Sequence, residues 1–145
     1  MTINNSNIGF GTHIKVDSGG SISISKSFIG RNCVITSKSS IMIKGNCLIA
    51  EMVVIRDQDH QLDSLCLPAN QQSFTCAPIE INENVWVASK ATILKGVSIG
   101  KGSVVAASAV VTKSIGSHEL WGGIPAKYIK NLSLINEMGT PNITT

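Results

Sequence analysis

Aromatic rings and charged side chains are scarce in this chain of 145 residues, at 4% and 14%. So few rings leave little to stack against bases, and nucleic acid is not an expected partner. No stretch approaches the roughly 20 consecutive apolar residues of a membrane-crossing helix, and no basic-then-apolar leader opens the sequence. The expectation is one soluble, cytoplasmic domain without a membrane span. Cysteine is sparse too. Cys66 and Cys76 stand ten residues apart, without the close pairs of a zinc site, and Cys33 and Cys47 fit small interior slots, so no metal is expected.

What is abundant is aliphatic residues at one fixed step. Ile81, Val87, Ile93, Ile99, Val105 and Val111 follow one another every sixth residue. A helix repeats its apolar face at about 3.6 residues and a strand at 2, so neither alone accounts for six. A coil of short strands and turns does, as in hexapeptide-repeat parallel β-helices. Four places after each aliphatic stands a small or modest residue: Val85, Ala91, Val97, Ser103, Ala109 and Ile115. These share a thin interior, and polar or tiny residues between them, such as Asn82-Glu83-Asn84 and Gly100-Lys101-Gly102, turn the corners.

The register extends upstream through Ile29, Ile35, Ile43, Ile49 and Ile55, with a two-residue slip at Ser40-Ile41 read as a bulged turn, and reaches Ile8 and Ile14. The count implies about four to five triangular coils. The predicted division is a β-helix over residues 1–130, with a loop at 56–78 thrown out from one corner, and a short polar tail over 131–145. So narrow a prism has a large surface for its volume, which favours association with further copies.

The stretch Ile79 to Lys130, with "VWVAS", "ATILKGVSIGKGSVVAASAVVTK" and "GGIPAK", resembles the C-terminal half of the hexapeptide-repeat acyltransferases, in the branch of bacterial sugar and polysaccharide O-acetyltransferases. The resemblance implies an all-β, left-handed parallel β-helix, a homotrimer with sites between subunits, and acetyl-CoA as co-substrate with no metal required. It implies acetyl transfer to a hydroxyl of a bacterial sugar or surface polysaccharide. The helical N-terminal extension of the maltose and galactoside enzymes is missing, so acceptor contacts made there must come from elsewhere.

Such transfer needs a base, because a sugar hydroxyl is a poor nucleophile until its proton leaves. Histidine suits the task near neutrality. Of His13, His60 and His118, only His60 has carboxylates beside it, Asp57 and Asp59, in "IRDQDHQLD". Either one can orient the imidazole as in triad logic. The resemblance adds a catalytic His in this region. Trp86 stands in an outward position, where it either packs an interface or positions the acyl group; in the polysialic acid O-acetyltransferases a Trp at this place accompanies the catalytic His.

From Lys90 to Lys130 there are six lysines and one acid, Glu119. Such a surplus suits the phosphates of coenzyme A. By resemblance, Ser89 and Ala107 offer main-chain contacts to the pantetheine arm, with Thr112 and Lys113 following on one edge. Lys127 and Lys130 meet the phosphates, and Ile124 and Pro125 form the adenine shelf. The same segment is also placed to cover the open end of the last coil. Two other classes fit the repeat: a non-catalytic β-helix scaffold, and a metal hydro-lyase of the γ-carbonic anhydrase type, which needs three converging histidines.

Overall fold

The structure, a computed structural model, describes residues 1–62 and 66–132. The expected tail, 131–145, lies almost wholly outside these residues. Each hexad makes one short strand and one corner. The first coil is β1 (Thr2–Asn4), β2 (Asn7–Ile8) and β3 (His13–Val16); the second is β4 (Ser21–Ser25), β5 (Phe28–Ile29) and β6 (Val34–Ser37). The third comprises β7 (Ser40–Ile43), β8 (Leu48–Ile49) and β9 (Val54–Arg56). Here the chain leaves the prism as an antiparallel hairpin, β10 (Gln58–His60) against β11 (Phe74–Cys76). It rejoins at β12 (Ile79–Ile81), β13 (Trp86–Val87) and β14 (Thr92–Ile93), and β15 (Ser98–Ile99), β16 (Val104–Val105) and β17 (Val110–Val111) complete the fifth coil.

Equivalent strands of successive coils pair in parallel, which produces three faces. The first face holds β1, β4, β7, β12 and β15; the second holds β2, β5, β8, β13 and β16; the third holds β3, β6, β9, β14 and β17. The fold is therefore the parallel β-helix that the period of six requires, with the hairpin leaving the corner between the third and first faces.

Register stacks like on like. Ile24, Ile43, Ile81, Ile99 and Ile115 form one column, and Ile14, Ile35, Ile55, Ile93 and Val111 another. Apart from Ile14 at the N-terminal end, these side chains are buried. β-Branched residues suit so thin a core because they pack well on a pleated surface with little side-chain freedom to lose. The slip at Ser40-Ile41 is not a bulged turn. It is regular strand in β7, whose alternation sends both Ile41 and Ile43 inward, as β4 does with Ile22 and Ile24. A period of two nested inside the period of six accounts for it.

The small inward slots are filled as the sequence implies. Cys33 and Cys47 are buried, and their thiols donate to the carbonyls of Ala50 (3.1 Å) and Asn82 (3.0 Å) in the next coil. Burial pushes both thiols above the usual cysteine range, so neither offers a ready thiolate.

Coils approach so closely at some corners that no side chain fits. A Cβ on Gly30 would stand 2.6 Å from the backbone carbon of Ala50 and the nitrogen of Glu51. Gly30→Ala is accordingly expected to cost about 1–3 kcal/mol through overpacking, visible as a lowered denaturant midpoint with an unchanged slope. An unshifted midpoint would show that the coils separate freely at this corner.

The far end of the prism is covered. β18 (Glu119–Gly123) pairs in parallel with β16 and antiparallel with β19 (Ala126–Asn131). Trp121 extends the column of Ile29, Ile49, Val87 and Val105 and lies against the core. Its indole N–H donates to Glu119 Oε2 (2.8 Å), which also accepts from the Gly116 N–H (3.0 Å). The "GGIPAK" turn thus joins the two strands that close the open edge. No helix among the described residues is long and apolar enough to cross a membrane.

Candidate active site

His60 ends β10, four residues beyond Arg56, the last residue of β9, and three beyond Asp57. Its ring lies 4.3 Å, centroid to centroid, from Phe74 on the returning strand. Nδ1 is 3.4 Å from the Gln72 carbonyl oxygen. A carbonyl only accepts, so this long contact is made when Nδ1 carries the proton, which leaves the Nε2 lone pair free. His60 is exposed.

The two carboxylates expected to orient it are engaged elsewhere. Asp57 is fully buried. It accepts from the Ser37 hydroxyl (2.6 Å) and from the main-chain N–H groups of Lys38 (2.8 Å) and Ser39 (2.9 Å). With its amide oriented nitrogen-inward, Gln58 donates to the same carboxylate at 2.6 Å. Asp57 therefore ties the corner of the preceding coil to the base of the hairpin, and the expectation that it contacts the imidazole is corrected. Asp59 pairs with Lys95 Nζ at 3.0 Å, which takes one of the six lysines out of the expected phosphate patch. Among the described residues the hydrogen-bond partner of His60 is a main-chain carbonyl, which carries no sequence signature.

Three concavities among the described residues hold the expected site residues. A groove of about 490 Å³ lies over the N-terminal half of the third face, with His60 and Phe74 on one side and His13, Lys15, Lys38 and Arg56 along it. Asp17, in the same groove, accepts from Lys15 (2.8 Å) and Lys38 (3.1 Å). Lys15, and after it Lys38, holds the Asp17 carboxyl below the usual carboxylate range, so it stays charged. His118 turns a different corner, at φ 57°, and the three histidines do not converge.

The second groove, about 540 Å³, lies on the second face and its corner with the third. Trp86, Ser89 and Ala107 line it with Ala50, Glu51 and Ala106. Small side chains on successive coils make it shallow and smooth, while Trp86, 47% exposed, forms a flat wall. The third concavity, about 240 Å³, is at the covered end and brings together Thr112, Lys113, Pro125 and Lys127 with Trp121 and Tyr128. Ile124 stands 74% exposed on the turn and Lys130 lies outward on β19; neither lines this concavity. Trp121 and Tyr128 went unmarked in the sequence, where the step of six gives them no place.

In one chain, then, His60 and Trp86 open onto different faces. The residues expected to act together gather in three sets: His60 with a cationic groove, Trp86 with Ser89 and Ala107, and Lys113 with Lys127.

Comparisons with known proteins agree with this geometry. The family described as bacterial transferase hexapeptide (six repeats) matches residues 78–113. A probable acetyltransferase of Mycobacterium tuberculosis is 35% identical over 109 residues, covering 75% of this chain and 36% of the relative. A putative lipopolysaccharide biosynthesis O-acetyl transferase of Escherichia coli is 34% identical over 103 residues, covering 66% of this chain and 53% of the relative. The chain thus spans about a third to a half of the length of these curated relatives. Among solved structures, a hexapeptide-repeat acetyltransferase of Vibrio cholerae, complexed with acetyl coenzyme A, superposes with a TM-score of 0.74 at 29% identity, over 91% of this chain and 73% of that one. The period of six, the three-faced prism and these similarities show that the chain carries the bacterial transferase hexapeptide repeat and is similar to acetyltransferases built on it.

Proposed function

We propose that the chain is an acetyl-CoA-dependent O-acetyltransferase acting on a hydroxyl of a sugar or polysaccharide, in a homotrimer whose sites lie between copies. The observation that carries this reading is the His60 imidazole, exposed at a groove mouth with Nδ1 against a carbonyl and Nε2 unspent. An imidazole held in that tautomer is a general base. The Vibrio cholerae neighbour, whose structure contains acetyl coenzyme A, and the Escherichia coli relative named for O-acetyl transfer support the chemistry.

In this reading His60 Nε2 takes the proton of the acceptor hydroxyl as that oxygen attacks the thioester carbonyl. The imidazolium returns the proton to the sulfur as the carbon–sulfur bond breaks. The Gln72 carbonyl keeps Nδ1–H pointed away throughout. No covalent step on the protein is invoked; burial pushes the Cys33 and Cys47 thiols above the usual range and both are spent in the core.

The chain's own residues fit the coenzyme. Ser89 and Ala107, in a row on successive coils after Glu51, line a groove of small side chains, and Thr112, Lys113 and Lys127 gather in a second concavity at the covered end, which suits a pantetheine arm and the phosphates. Ile124 and Lys130 remain free to meet the nucleotide from the turn and from β19. Because the row and His60 occupy different faces, a neighbouring copy must bring its row to this copy's base. Trp86 then stands where the copies meet and walls the thioester.

A thermal-shift measurement tests the ligand. Acetyl-CoA binding only the folded state is expected to raise Tm, equivalent to about 2.7 kcal/mol at a hundredfold excess over Kd. The shift should shrink in Lys113→Gln/Lys127→Gln. No shift with the unaltered protein would leave a bare scaffold and sink the reading.

A further inference from the structure

The His60 groove is built for charge. We propose that the acceptor carries an anionic group, a carboxylate or a phosphate, received by Arg56 with Lys15 and Lys38 beside it. This rests on the acetyltransferase reading and adds the class of acceptor.

Three cationic side chains line the groove against one carboxylate, Asp17. That carboxylate is shared by Lys15 and Lys38, which leaves their surplus charge facing the groove. Lys38 Nζ lies 4.3 Å above the centre of the Phe74 ring, so the ring beside His60 holds an ammonium close to the base. Arg56, at the end of β9, is exposed and makes no ion pair or side-chain hydrogen bond among the described residues. A guanidinium presents a planar fork that matches a carboxylate or phosphate in two bonds at once.

The acceptors of the region argue the same way. A neutral sugar brings hydroxyls that donate as well as accept, and carboxylates and amides are the side chains that best take up the donors. Among the described residues each nearby carboxylate is engaged: Asp17 by two lysines, Asp57 by the turn of the preceding coil, Asp59 by Lys95. What the groove has left over is donors. An anion supplies the missing acceptor and neutralises the surplus.

Matched probes separate the sources of charge. Ligand-observed NMR titrations would compare methyl β-glucuronide with methyl β-glucoside for the carboxylate, and glucose 6-phosphate with glucose for the phosphate. One anionic member is expected to bind on the order of tenfold or more tighter than its neutral partner, with the preference falling at high salt. Arg56→Gln should abolish most of that preference, and Lys15→Gln, at an exposed position, should reduce it. Equal binding within each pair, failure of both anions to bind, or a preference undiminished in both variants would overturn the proposal. Acetyl-CoA-dependent thiol release and the thermal shift are read separately. An anionic preference with neither of those would sink the transferase reading alone, and thiol release with neutral sugars only would sink the anionic acceptor alone.

Discussion

His60→Ala is expected to lower acetyl transfer by roughly 10² to 10⁴ fold, the usual contribution of a positioned general base, with acetyl-CoA affinity little changed. The separation follows from the layout. The row proposed for the coenzyme belongs to the second face and the covered end, whereas His60 stands on the hairpin over the third face. Loss of the ring removes the proton acceptor without touching a residue of that row. The hairpin also keeps its own ladder, Gln58 opposite Cys76 and Asp59 opposite Thr75, so its frame survives the truncation. Thiol release under saturating acetyl-CoA measures turnover, and the acetyl-CoA thermal shift reports binding in the same samples. Turnover equal to that of the unaltered protein would remove His60 from the mechanism.

The second large effect is on stability. Asp57→Ala is expected to destabilise the fold by about 3–4 kcal/mol, because two main-chain N–H groups, a serine hydroxyl and an amide lose their common acceptor inside the protein. Few single substitutions reach that size. Equilibrium denaturation gives the loss directly. Activity measured well below the melting temperature then divides two roles. A buried brace lowers Tm and leaves the chemistry of the folded fraction near normal, whereas a carboxylate acting on the imidazole would lower turnover with Tm unmoved. The second outcome would return Asp57 to the side of His60 and contradict its contacts.

Asp57 also shows where the sequence stops being readable. The aliphatic columns are legible because every coil imposes the same inward demand, and Ile81 through Val111 answer it at one step. Ser89 and Ala107 come from the resemblance and Trp86 from its outward position; the three line one groove because Ala107 follows Ser89 by one coil of 18 residues and Trp86 lies in the same coil as Ser89. Asp57 looked like a partner for His60 because it is three residues away along the chain. Its real partners, Ser37, Lys38 and Ser39, are one coil back, 18–20 residues earlier. The signal was present, since a carboxylate one coil after a Ser-Lys-Ser corner is placed to cap it. The Gln72 carbonyl left no trace at all, because any residue supplies one. The slip at Ser40-Ile41 misled for a simpler reason: a longer strand alternates, and alternation inside a hexad reads as an interruption.

The smooth corner that carries Ala50, Ala88 and Ala106 has a metric consequence. Main-chain bonds tie each to the coil beyond, from the Ala50 N–H to Val87, from the Ala88 N–H to Val105 and from the Ala106 N–H to Trp121. These three positions are therefore graduations on a scale, spaced by the strand separation of about 4.8 Å. An extended molecule laid beside them is measured in whole notches, and deleting or duplicating one turn of the winding would change the reach by a single notch. The number of turns in the winding thus sets the length of this corner in steps of one strand separation.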